Sequence, residues 1–113
     1  VVIERKVKDL VVLDVRALSS FTDYIIIMTG TSDLHVIRTA QHVQERLSAQ
    51  NVHPLGIEGT AEGRWVLMDY GDVIVHIFLE SVRFFYDLEG LWHDVPKTRY
   101  DERGEVIGDD HRQ

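Results

Sequence analysis

Apolar residues along this chain change period from segment to segment, and each change marks an element. Leu10-Val11-Val12-Leu13-Asp14-Val15 and Tyr24 to Thr29 carry β-branched and apolar side chains on both alternating sets. That is the signature of strands buried on both faces, so both are expected in the middle of a sheet. Ser19, Ser20, Thr22 and Asp23 between them supply polar turn chemistry. From about Asp33 to Gln50 the period becomes helical, with Val36, Ala40, Val43 and Leu47, and Ile37 beside them, forming one apolar face. Gly30-Thr31-Ser32-Asp33 opens this helix with Thr31 or Ser32 as N-cap and Asp33 at the positive end of the dipole. Asn51 can close it in the left-handed region, and Pro54 prevents its continuation.

Leu55-Gly56-Ile57-Glu58 reads as a short extended segment, followed by a polar loop from Gly59 to Gly63. Arg64 to Asp69 and Val73 to Leu79 alternate as strands around Gly71-Asp72, a β-hairpin. With those two residues as the loop, Trp65 faces Phe78, Leu67 faces His76 and Asp69 faces Ile74 on one side, and Val66, Met68, Val75 and Ile77 form the other. A loop one residue longer would reverse the faces. Glu80 to Trp92 returns to helical spacing, with Val82, Phe85 and Leu88, joined by Leu91 or Trp92, as its buried stripe. Val1 to Lys8 is compatible with the last turns of a helix, and Val1 in place of Met points to an upstream piece. From His93 onward the chain is polar, with Pro96, Gly104 and Gly108, and little structure of its own is expected there. The expected architecture is α/β, a mixed five-stranded sheet flanked by helices, with one domain over 1–94 and a polar C-terminal tail over 95–113.

Composition narrows the function. The 113 residues, 44% hydrophobic, fit one compact core. Nineteen acidic against twelve basic side chains leave a net charge of −7 with no Lys/Arg run, which disfavours direct or sequence-specific nucleic-acid binding and suits a basic partner. No cysteine is present, so a disulfide framework, a thiolate metal site and a nucleophilic thiol are all excluded. The longest apolar run, Tyr24 to Met28, is too short to span a membrane, and a cytoplasmic protein is expected.

Several ordered segments carry a family resemblance. Thr22-Asp23-Tyr24, Thr29-Gly30-Thr31-Ser32, His35 and Ala40, and Pro54-Leu55-Gly56-Ile57-Glu58-Gly59 come first. Trp65, Asp69-Tyr70-Gly71-Asp72-Val73-Ile74-Val75-His76-Ile77-Phe78, Arg83, Phe85-Tyr86-Asp87-Leu88-Glu89, Leu91-Trp92 and Asp94 follow. Over Asp9 to Asp94 the chain resembles the Iojap family, also called ribosome silencing factors. It departs at Asn51, where the family usually has a glycine cap, and beyond Asp94, where no counterpart is placed. The resemblance implies binding to the large ribosomal subunit through ribosomal protein fourteen, at the face where the small subunit docks, with steric blocking of subunit joining and repression of translation. It also implies a homodimer in the free state, no enzymatic activity and a nucleotidyltransferase-like fold.

That fold supplies the rival reading, a metal-dependent nucleotidyltransferase in which Gly30-Thr31-Ser32 cradles a phosphate and Asp69 and Asp72 hold a magnesium ion. Against it, Asp72 sits at the turn while Asp69 projects from a strand, and no lysine lies between Lys8 and Lys97 to meet a triphosphate. No catalytic residues, cofactor or metal are therefore expected. His35 and His42, seven apart, lack a third ligand at a recognisable spacing. His76, in an apolar strand, reads first as a hydrogen-bonded structural residue, and His35 at a helix N-terminus as a neutral imidazole. Trp65, Phe78, Phe84, Phe85, Tyr86 and Trp92 exceed what so small a core needs. Either a partner meets them, or an N-terminal helix or the tail covers them; the two readings weigh equally on the residues, and the resemblance favours the partner. The expected partner-binding set is Trp65, Asp69, Tyr70, Asp72, His76, Phe78, Tyr86 and Asp87, with Glu89 adding to the acidic rim.

Overall fold

The structure is a computed structural model and describes residues 8–17, 20–82, 95–100 and 106–110. In chain order these form β1 (Lys8–Asp14), β2 (Tyr24–Gly30), α1 (Asp33–Ser48), β3 (Gly56–Glu58), β4 (Trp65–Asp69), β5 (Val73–Leu79), β6 (Lys97–Tyr100) and β7 (Val106–Asp110). One seven-stranded sheet runs β3-β4-β5-β2-β1-β6-β7. Strands β2 and β5 pair in parallel, and the other described neighbours are antiparallel. The mixed α/β class agrees with the sequence reading, with seven strands rather than five.

Alternation in the two inner strands explains the layering. Met28, Val66, Met68, Val75 and Ile77 are buried on the side covered by Val36, Ala40 and Val43 of α1, with Ile26 packed alongside. Ile25, Ile27 and Phe78 point to the other side and pack with Val11, Leu13, Val15, Val82 and Val95. Both faces of β2 are thus removed from water, as its uninterrupted apolar run requires.

Ser32 is the N-cap of α1, extended at φ −146° and ψ 165°, and its Oγ accepts the His35 N–H at 3.1 Å. Gly30 immediately precedes this turn because a Cβ there would lie 2.6 Å from Cγ2 of Val36. The helix stops at Ser48, two residues short of Gln50. The chain tightens there: the Asn51 N–H donates to the Ser48 carbonyl at 2.9 Å and the Val52 N–H to the Leu47 carbonyl at 2.8 Å, with Asn51 at φ 64°. These bonds form a Schellman closure in which Asn51 occupies the left-handed position usually given to glycine.

The β4–β5 hairpin has the expected register, Trp65↔Phe78, Leu67↔His76 and Asp69↔Ile74. Gly71, at φ 86°, takes the first loop position, where a side chain would be strained. Asp69 Oδ1 accepts the Gly71 N–H at 2.8 Å. The Asp72 carbonyl accepts from the Asp23 N–H at 2.8 Å, the Tyr24 N–H at 3.1 Å and the Thr22 hydroxyl at 2.8 Å. The turn is thereby fastened to the start of β2.

The polar segment after His93 departs from expectation. It adds β6 against β1, with pairs from Leu10↔Tyr100 to Leu13↔Lys97, and β7 against β6. Val11 and Leu13 are buried in a strand that needs a hydrogen-bonding neighbour on each edge, and β6 supplies one. Val95 enters the core, and Lys97, though charged, is buried with Nζ donating to the Val95 carbonyl at 3.4 Å. Glu80–Val82 begin a helix; the rest of the helix expected to Trp92 lies outside the described residues, as does the helical reading of Val1 to Lys8 except at Lys8, which is extended and starts β1.

Replacing Thr22 by Val removes one of three donors to the Asp72 carbonyl while keeping side-chain volume. It should cost about 1 kcal/mol, the net worth of one hydrogen bond. Urea unfolding should show a lower midpoint at an unchanged m-value.

Candidate partner-binding surface

Because directly paired residues share a face, the hairpin register brings Trp65, Leu67, Asp69, Ile74, His76 and Phe78 to the side opposite α1. Trp65 stacks on Phe78 with centroids 5.0 Å apart. His76 stacks on Phe78 at 5.9 Å, with planes 9° apart. The Trp65 indole Nε1–H donates to His76 Nδ1 at 3.0 Å. That bond fixes the tautomer: Nδ1 accepts, so the imidazole proton resides on Nε2. His76 is only 7% exposed, and burial pushes its pKa down from the ordinary 6.5 to about 4. A neutral ring positions a half-buried indole.

The expected residues do not all gather here. Phe78 is 0% exposed and forms the floor under Trp65 rather than contact surface. Tyr70 points to the other side, among the residues packed under α1. Its hydroxyl is buried without a hydrogen-bond partner, and desolvation raises its pKa. Asp69 is half-buried at the strand end and Asp72 exposed at the turn. Tyr86, Asp87 and Glu89 lie outside the described residues. Sequence reasoning passed over Leu67 and Ile74, half-buried neighbours of the aromatic group, although the pairing scheme already held them. It also missed Phe21 and Leu55, 64% and 77% exposed, beside residues fastened to the turn. Leu55 donates its N–H to the Asp69 carbonyl at 2.6 Å.

The phosphate-cradle geometry is not open. The Thr31 N–H donates to His35 Nδ1 at 2.9 Å and the His35 N–H to Ser32 Oγ, so this turn engages its own donors. His35 Nδ1 is the acceptor of that Thr31 bond. Asp69 holds the hairpin turn through Gly71. Among the described residues no three His, Cys, Asp or Glu side chains cluster as a metal site would require, and no helix is long and apolar enough to cross a membrane.

Fold and surface define a small mixed α/β domain with an aromatic and acidic hairpin face opposite its helix. The family model for the ribosomal silencing factor during starvation matches residues 1–113, and the chain belongs to that family. The match extends past Asp94, so the terminal segment does have a family counterpart. A Bacillus subtilis relative named ribosomal silencing factor RsfS is 36% identical over 98 residues, 87% of this chain and 83% of its own. A crystal structure from Chromobacterium violaceum superposes with a TM-score of 0.79 at 41% identity, covering 81% of this chain and 77% of that one. A mouse relative named mitochondrial assembly of ribosomal large subunit protein 1 is 28% identical over 92 residues, 79% of this chain and 40% of its own.

The depressed His76 pKa has a defined consequence for stability. Between pH 6.5 and about 4 the unfolded histidine binds a proton that the folded one does not, so stability should fall as pH drops through that window. The contribution of this one group is at most about 1.4 kcal/mol per pH unit. Unfolding free energies of the parent and His76→Gln at pH 7 and pH 5 check it: the variant should lose less stability on acidification.

Proposed function

We propose that the chain represses translation by occlusion, binding the large ribosomal subunit through ribosomal protein fourteen and blocking attachment of the small subunit. The observation that carries this reading is the half-buried Trp65, held by the Phe78 stack and the His76 hydrogen bond. A pre-positioned aromatic anchor loses little conformational freedom on binding. Leu67 and Ile74 extend its apolar surround, and Asp69 and Asp72 supply carboxylates at one end. The chain carries a net charge of −7, complementary to a basic ribosomal protein and favourable to fast encounter. Family membership and the mouse relative's name support a ribosomal partner. Trp65, Asp69, Asp72 and His76 are the binding residues on this reading, and Phe78 supports them from the core; Tyr86 and Asp87, outside the described residues, belong to the proposed binding set on the family resemblance. The protein acts in the cytoplasm without cofactor, metal or catalysis, and is a homodimer when no ribosome is present.

Trp65→Ala should weaken binding to isolated ribosomal protein fourteen by on the order of 2 kcal/mol, roughly thirtyfold. Asp72→Asn should mainly lower the association rate and its salt dependence. Surface plasmon resonance at two ionic strengths separates these effects, and a subunit-joining assay connects them to function. If folded Trp65→Ala binds and blocks joining like the parent, the interface lies elsewhere. Phe78→Ala is unsuitable as a binding probe, since emptying this buried site should cost about 3–5 kcal/mol of stability. Light scattering at tens of micromolar, with no ribosome present, should return the mass of a dimer.

A further inference from the structure

A specific protein interface buries about 800 Å² on each partner, of which one tryptophan supplies only about 150–250 Å². Trp65 with Leu67 and Ile74 therefore accounts for part of a footprint, and the surface that continues it can be traced along β4. Trp65 and Asp69 are the two ends of that strand, roughly 13 Å apart at about 3.3 Å per residue. A patch of about 800 Å² is roughly 30 Å across, so the end of the sheet at the β4–β5 turn lies within its span.

That end carries the two most exposed large apolar side chains among the described residues, Leu55 and Phe21. The Leu55 N–H donates to the Asp69 carbonyl at 2.6 Å, and a Cβ at Gly71 would lie 3.6 Å from Leu55 Cδ1, so the leucine rests against the turn. On the other side, Phe21 precedes Thr22 and Asp23, whose hydroxyl and N–H respectively both donate to the Asp72 carbonyl at 2.8 Å. Backbone already ordered on both sides reduces the entropy lost when a partner covers these side chains. Single exposed apolar residues are ordinary on a protein surface; two fastened to one turn and flanked by carboxylates form a surface of defined chemistry. Asp23 and Asp72 are exposed there. Arg16, over the Tyr24 ring, is paired with Asp14 at 2.7 Å, which leaves this end net negative. It suits a basic protein whose Lys and Arg side chains surround an apolar contact.

We infer that the partner's footprint continues from the Trp65 face around the β4–β5 turn onto this end of the sheet, where Phe21 and Leu55 seat apolar side chains of the partner and Asp23 meets a Lys or Arg beside them. The identity of the partner rests on the occlusion reading; the second contact at the turn is additional to it. Leu34, also exposed, sits in the first turn of α1, beyond the Gly30 end of β2, and lies outside this footprint.

The test compares Phe21→Ser, Leu55→Ser, Asp23→Asn, Leu34→Ser and Trp65→Ala variants of the full chain by surface plasmon resonance on isolated ribosomal protein fourteen, at two ionic strengths. Urea midpoints close to the parent's are expected at the exposed positions and are checked first; should Phe21→Ser unfold early, Leu55→Ser and Asp23→Asn decide alone. Phe21→Ser and Leu55→Ser should each weaken binding by at least about fivefold, and Asp23→Asn should lower the association rate and its salt dependence. Leu34→Ser should bind like the parent. Parent-like binding of both Phe21→Ser and Leu55→Ser beside an impaired Trp65→Ala overturns the inference and leaves the occlusion reading standing. Loss in Phe21→Ser and Leu55→Ser with Trp65→Ala unaffected supports the inference and moves the anchor from the hairpin face to the turn. An equal loss in Leu34→Ser overturns it, since any removal of surface apolarity would then act alike, and no binding by the parent overturns both readings together.

Discussion

Seven consecutive pairs, Tyr24↔Val73 to Gly30↔Leu79, join β2 to β5 in parallel, and the positions of the other elements depend on that register. Parallel neighbours cannot be linked by a tight turn, so the chain must leave the sheet and return. It does so through α1 and the β3–β4 segment, which places the helix on one face. The register is set at its start, where the Asp72 carbonyl receives the Asp23 and Tyr24 N–H groups and the Thr22 hydroxyl. A slip of one residue would carry Met68, Val75 and Ile77 toward the face now held by Trp65 and His76, because strand side chains alternate with a period of two. The small polar cluster around Asp72 thus decides which side of the hairpin is core.

His76 shows how that division accommodates a polar group. It occupies a central strand position where burial disfavours the imidazolium, and its Nδ1 is satisfied by the Trp65 indole. Each residue meets a need of the other: the histidine gains a donor without a charge, and the tryptophan gains a fixed orientation on Phe78. A leucine in place of His76 would bury well but leave the indole N–H to seek water. The aromatic group is therefore a supported surface feature, with its foundation in the second core cluster.

Much of this was legible in the residues themselves. Gly71-Asp72 between two alternating runs determined the hairpin pairs, and Thr31-Ser32 and Asn51 marked the helix ends, with Ser32 the cap of the two, because turns and caps depend on local chemistry. Burial depth was less legible. Phe78 and Trp65 are paired on one face, yet only the neighbours contributed by β1, by Val82 and by Val95 make Phe78 core. Tyr70 stands in the expected binding set, yet its even-numbered place after Met68 puts it on the α1 side of the hairpin. The strands β6 and β7 were missed for another reason. Lys97-Thr98-Arg99-Tyr100 has the composition of a solvated tail, and its strand character comes from the open edge of β1, a long-range partner that no local pattern records.

The hairpin consequently bears two chemistries within one period-two alternation. On β4, Trp65, Leu67 and Asp69 face away from the helix, and Val66, Met68 and then Tyr70 face toward it; on β5, His76 and Ile74 oppose Val75 and Val73 in the same way. Adjacent residues therefore answer to different constraints. A change at Met68 or Val75 acts through packing against α1, whereas one at Leu67 or Ile74 meets half-exposed surface that the core does not require. Folding alone would be satisfied by polar residues at Leu67 and Ile74, as on the solvent side of any sheet. Apolar side chains beside an oriented tryptophan and an acidic turn suit the protein-binding role proposed for this face.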